Sequence, residues 1–141
     1  MLSNFEKIIF LRKVSLFDKL GVEGLKILSM ITDEESFNAN EVVFKQGDVG
    51  DVLYIIETGK VIIYNEANPD HVYATLGKGD CFGEMAVLDR ETRSASVATV
   101  EDSNMIMVDS EKFRTIVMQY PYIAFSIFST LCQRIRETMH Y

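Results

Sequence analysis

The spacing of hydrophobic residues changes period twice along this chain, and that confines it to a β domain with helices at both ends. Up to about residue 33 the apolar positions follow a helix: Phe5, Ile8 and Ile9 make a short face, and Ile27, Met30 and Ile31 repeat the interval with Leu28 beside them. From Glu35 the pattern becomes short β-branched and aromatic runs divided by glycine, namely Val42-Val43-Phe44, Val52-Leu53-Tyr54-Ile55-Ile56, Val61-Ile62-Ile63-Tyr64, Val72-Tyr73-Ala74 and Val97-Ala98-Thr99-Val100. Gly47, Gly50, Gly59, Gly77, Gly79 and Gly83 fall in this part, several of them beside aspartate or lysine, as tight turns between strands require. After Met105-Ile106-Met107-Val108 the helical period returns. Asp109 or Ser110 caps a helix carrying Phe113, Ile116 and Val117, and Pro121 restarts a longer one.

The expected architecture is therefore mainly β with flanking helices: a jelly-roll-like β-roll over 35–109, an N-terminal helical bundle over 1–34 and a C-terminal helix pair over 110–141. At 141 residues, 48% hydrophobic and 25% charged, the chain has the size and composition of one globular domain. In the last helix Ile123, Ile127, Leu131, Ile135 and Met139 recur every four residues, a stripe expected to face the roll. A second row of Ala124, Phe128 and Cys132 leaves a face for a second copy of the chain, a homodimer contact.

Chemistry is concentrated in Phe82-Gly83-Glu84-Met85-Ala86-Val87-Leu88, followed after a short polar loop by Arg93-Ser94-Ala95-Ser96-Val97. A helical turn opening near Glu84 presents uncommitted N–H groups and a partial positive charge, and Arg93 adds a planar fork of donors charged at any working pH. Those groups suit a small anionic sugar phosphate. A ribose 3′,5′-cyclic phosphate leaves only its 2′-hydroxyl free, and the acceptor-only carboxylate of Glu84 suits that donor. Singly, Gly83 is a turn glycine, Glu84 an acid at a helix start and Arg93 a loop cation; their conjunction in register, between strands, carries the reading.

At these residues the chain resembles the cyclic-nucleotide-binding domains of regulatory kinase subunits, ligand-gated channels and the bacterial catabolite activator family, over nearly its whole length. The resemblance implies that Glu84 holds the ribose and Arg93 the phosphate, within a ligand site of Gly83, Glu84, Met85, Ala86, Arg93, Ser94 and Ala95. Thr138, counted from Pro121, falls where the bacterial activators turn a helix hydroxyl toward adenine. Arg90 stands where many members have glycine and Thr92 where proline is frequent, so the loop between departs from the family pattern, and Arg90 is either a second phosphate contact or a solvated turn residue. Serine at position 94 favours cAMP, as in the bacterial activators, and leaves cGMP open. The implied function is a cytoplasmic regulatory sensor without a cofactor, its helix transmitting ligand binding to an output module outside this sequence.

Other classes fit less well. A net charge of −7 opposes a nucleic-acid surface, which needs clustered Lys and Arg. The apolar patch Ile8–Leu11 is interrupted by Arg12 and Lys13 and does not read as a signal peptide or membrane span. Cys81 and Cys132 lie far apart without CxxC spacing, as expected of reduced thiols in the cytoplasm, and Cys81 reads as a small buried hydrophobe. An enzyme of the metal-dependent β-roll type needs converging histidines. This chain has only His71 and His140, and carries no Gly-x-Ser-x-Gly elbow or P-loop, so neither a metal site nor catalysis is expected. The alternative to a sensor is a ligand-free roll used for oligomerisation or docking.

Overall fold

The computed structural model describes residues 2–89 and 92–139, with the backbone alone at Met85, Ala86 and Val87. The chain divides into two compact units, one of strands (Thr32–Ser110) and one of helices (Met1–Ile31 with Glu111–Tyr141).

The strand unit holds β1 (Thr32–Phe37), β2 (Val42–Phe44), β3 (Val52–Thr58), β4 (Val61–Tyr64), β5 (Val72–Leu76), β6 (Cys81–Phe82), β7 (Ser96–Thr99) and β8 (Ser103–Asp109), with the short helix α3 (Glu84–Asp89) between β6 and β7. They form two antiparallel four-stranded sheets, ordered β1-β8-β3-β6 and β2-β7-β4-β5. This is the β-roll that the glycine-divided runs predict. Its core joins both sheets: Phe37, Ile56, Val61, Phe82, Val97 and Met105 are buried together, with Val43, Phe44, Tyr54, Ile63 and Leu76 packed against them. The β3–β4 hairpin turns at Gly59, whose φ of 105° and closeness to the Ser103 backbone leave no room for a side chain.

Three strands lie outside the five runs that the pattern marks: β8, which holds Met105–Val108, and two that carry no such signal. β1 begins at Thr32, ahead of Glu35, and its sequence TDEESF carries almost no apolar signal. It forms because β8 offers it a full antiparallel ladder from Thr32↔Val108 to Phe37↔Ser103, with only Thr32 and Phe37 buried; pairing context overrides propensity here. β6 has two residues, held by Tyr54↔Phe82 and Ile55↔Cys81, and is too short to show a period.

The helical unit contains α1 (Asn4–Arg12), a 3₁₀ turn (Ser15–Phe17), α2 (Val22–Ser29), α4 (Ser110–Gln119, its first residue counted with the strands) and α5 (Pro121–Met139). α1 starts with a reciprocal capping box between Ser3 and Glu6. The faces expected at the N-terminus are displaced: Phe5 and Met30 are exposed, and the buried apolar side chains are Leu11, Val14, Leu16, Phe17, Leu20, Leu25 and Leu28. The reason is local, because α2 ends at Ser29, so Met30 and Ile31 fall beyond the helix whose stripe they seemed to continue. α4 buries Phe113 and Ile116 as expected. In α5, Ile123 and Ile127 are buried, but the stripe does not hold to the end: Ile135 is 57% exposed and Met139 50%. Thr130 is buried instead, its hydroxyl donating to Asp18 Oδ1 at 3.0 Å, and Arg134 Nη2 donates to Ser15 Oγ at 3.1 Å, which ties α5 to the 3₁₀ turn.

Candidate functional site

The expected cassette spans the end of β6, Gly83, α3 and the segment that enters β7. Gly83 has φ of 81°, a left-handed conformation, and a Cβ there would stand 2.5 Å from Arg93 Nη1 and 3.0 Å from the Val52 carbonyl oxygen. Glycine at this position lets the Arg93 guanidinium lie against the backbone. Nη1 donates to the Gly83 carbonyl at 3.2 Å and Nη2 to the Val52 carbonyl at 2.7 Å. The Phe44 ring lies under the guanidinium, with Cζ 4.1 Å from its centroid.

Arg93 is only 6% exposed, and its Nε–H is buried with no partner. Burial lowers its pKa from the ordinary arginine value, an effect opposed by Tyr54, Asp51 and Asp48; an arginine this far from neutral pH remains a cation. Among the described residues no carboxylate is hydrogen-bonded to it. A buried cation served only by carbonyl oxygens and a ring face, with one donor unused, is an arrangement that an anion would complete. The surroundings are apolar: the Tyr54 and Phe82 rings stack at 5.1 Å and 9°, Phe44 lies 5.8 Å from Phe82, and burial raises the Tyr54 pKa.

A cavity of about 430 Å³ opens beside these groups, within the span of small-molecule sites. Of the residues expected from sequence, it brings together Gly83, Glu84, Arg93, Ser94 and Ala95. Glu84 opens α3, is half-buried and lines the same cavity as Arg93. Met85 and Ala86 lie in α3, but their side chains, like that of Val87, are outside the described residues, as are Arg90 and His140. Thr138 belongs to the helical unit, is exposed, and donates its hydroxyl to the Arg134 carbonyl of its own helix at 3.0 Å.

Sequence reasoning missed the apolar walls, Phe44, Ile63, Leu76 and Val97, which come from both edges and the middle of one sheet and share no local motif. Cys81 corrects an expectation: it is half-buried and lines the cavity, because β6 sits at a sheet edge beside the opening. His71 is exposed, its ring edge-on to Tyr73, and among the described residues no group of His, Cys, Asp and Glu is arranged to hold a metal.

The model of the cyclic nucleotide-binding domain matches residues 34–120, a span that contains every residue lining the cavity. The chain belongs to the cyclic nucleotide-binding domain family. It is 31% identical over 124 residues to the cyclic AMP receptor protein of Thermus thermophilus, covering 86% of this chain and 57% of that one. It is 38% identical over 92 residues to a cGMP-dependent protein kinase of Plasmodium berghei, covering 65% of this chain and 10% of the kinase. Among solved structures, the Thermus thermophilus catabolite activator protein superposes with a TM-score of 0.74 at 30% identity, over 88% of this chain and 59% of that one. This domain thus spans little more than half of the bacterial relatives it matches and a small part of the kinase.

Proposed function

We propose that this domain is a regulatory sensor for a cyclic nucleotide, cAMP in preference to cGMP, and that it performs no catalysis. The observation that carries the reading is Arg93: a buried cation with an unused donor, beside a cavity that Glu84 also lines. In the bound state the guanidinium and the first-turn amides of α3 hold the exocyclic phosphate oxygens, and the Glu84 carboxylate accepts the ribose 2′-hydroxyl. The base lies along the apolar wall. Ser94, at the cavity and exposed, supports cAMP by the resemblance to bacterial activators and leaves its hydroxyl available to either purine.

Occupancy is read out through α5. A ligand that favours one arrangement by about 3 kcal/mol changes the population ratio by roughly two orders of magnitude, enough for a switch. The exposed row on α5 supports a homodimer as the signalling form. The partners are thus the nucleotide, a second copy and an output module, without nucleic acid bound by this chain or insertion into a membrane; the setting is the cytoplasm. Among the described residues no single helix is long and apolar enough to cross a membrane.

Equilibrium titration with cAMP and cGMP, combined with hydrogen exchange, tests this. We expect saturable cAMP binding, weaker cGMP binding, protection of amides from Gly83 to Leu88, and altered exchange from Leu131 to Met139. Absence of binding would return the domain to a ligand-free docking role. Protection confined to the cassette would remove the switch and keep the pocket.

A further inference from the structure

Three residues that do not line the cavity close a hydrogen-bonded ring beside it. Ser96, at the start of β7 and fully buried, donates its hydroxyl to Glu66 Oε2 at 2.5 Å and accepts from the Gln46 main-chain N–H at 2.9 Å. Glu66 returns its own N–H to Gln46 Oε1 at 3.3 Å. The ring thus joins the strand after Arg93, the residues after β4 and the turn that contains Gly47.

That turn holds the main chain of Arg93 from both sides. The Arg93 N–H donates to the Asp48 carbonyl at 2.8 Å, and the Gly47 N–H donates to the Arg93 carbonyl at 2.9 Å. The turn is itself closed by Lys45 N–H to Asp48 Oδ2 at 2.9 Å and Asp48 N–H to the Lys45 carbonyl at 3.0 Å. We propose that Gln46, Ser96 and Glu66 form a positioning clasp that sets the affinity of the cavity for its nucleotide by fixing Arg93.

The physical argument is one of tolerance. A guanidinium already bonded to two carbonyls has little freedom to find a phosphate, so its donors must be placed by the backbone that carries them, and small errors in placement weaken charge-assisted bonds steeply. Glu66 supplies the clasp with a carboxylate from an exposed position, where its bond to a fully buried hydroxyl draws the residues after β4 onto β7. The proposal rests on the reading that Arg93 binds the phosphate. It makes Glu66, a residue outside the cassette, a determinant of affinity.

The test is calorimetric titration of cAMP into the 141-residue chain and its Glu66→Ala, Glu66→Gln and Ser96→Ala variants, each alone and combined with Arg93→Lys. Lysine keeps the charge and loses the fork, so Arg93→Lys should weaken binding while leaving it measurable. Glu66→Ala and Ser96→Ala should each weaken binding about tenfold in the parent chain and less than about twofold over Arg93→Lys, because the clasp acts only through the fork. Glu66→Gln retains an acceptor oxygen for Ser96 and should stay within about threefold of the parent. The Arg93 Nε–H resonance of the free protein should move in the two alanine variants and return in Glu66→Gln. Since Ser96 is buried, Glu66→Ala alone decides the matter if Ser96→Ala does not fold. Equal losses in both backgrounds, or alanine variants that bind like the parent, overturn the clasp. If Arg93→Lys itself binds like the parent, it is the phosphate assignment that fails, and the clasp's role in binding falls with it.

Discussion

The cassette and the far end of α5 are opposites. In the cassette a charged side chain is buried with a donor unused; along α5, Phe128 is 52% exposed, and Ile135 and Met139 are at least half exposed. A buried polar group and an exposed apolar row are each more informative than their converses, because folding alone favours neither. On the proposed function, the first would be completed by an anion and the second by an apolar surface. As proposed here, the contrast would separate two kinds of partner, a small ligand for the strand unit and a protein surface for the helical one.

The sharpest way to break this comparison is Arg93→Glu, which places a repelling charge where the phosphate is assigned. Loss of a charge-assisted bond is worth about 1.5–3 kcal/mol and reversal adds to it, so cAMP affinity should fall by more than about a hundredfold. Circular dichroism should report a folded roll. Retained affinity in a folded variant removes Arg93 from the site.

A smaller effect is expected at the ribose. The 2′-deoxy analogue of cAMP should bind the parent chain about tenfold more weakly than cAMP, and Glu84→Ala should erase most of that difference. An undiminished penalty in Glu84→Ala would assign the hydroxyl to another group.

Gly83→Ala strains both backbone and site, because φ of 81° is unfavourable for alanine and its Cβ would press on Arg93 Nη1. We expect a loss of about 1–2 kcal/mol in denaturant unfolding, together with weaker cAMP binding as the guanidinium is displaced. Full stability with weakened binding would mean the turn relaxes and only the arginine moves.

The least perturbing change is on the other region. Replacing Ile135 by lysine should alter monomer stability by less than about 0.5 kcal/mol, since the side chain is largely exposed, yet reduce self-association in sedimentation. A dimer that survives this change, and the matching Phe128→Asp, would place the second copy elsewhere.

Much of this protein's fold is legible in its sequence. Glycine-divided β-branched runs specify strands because a period of two can bury one face of a short segment, and the roll followed from their spacing. The cassette motif was legible for a different reason: the turn glycine, the acid suited to a ribose hydroxyl and the arginine suited to a phosphate lie close together in this chain, so the motif is written locally. Gly83, Glu84, Arg93, Ser94 and Ala95 line one cavity.

Tertiary structure alone decided the rest. TDEESF became β1 because a neighbouring strand offered hydrogen bonds, and no periodicity in its own side chains announces that. The cavity walls at Phe44, Ile63, Leu76 and Val97 assemble from separate strands, and the burial of Arg93, expected from sequence as the phosphate cation, depends on Phe44 and the Val52 carbonyl far from it in sequence. The α5 stripe shows the same limit from the other side: a four-residue interval records which residues share a face, but only packing determines how far along that face burial extends, and here it reaches Ile127 and Thr130 and leaves Ile135 exposed. A sequence determines what each segment is able to bury or bind; which of those capacities is used depends on what the folded chain brings against it.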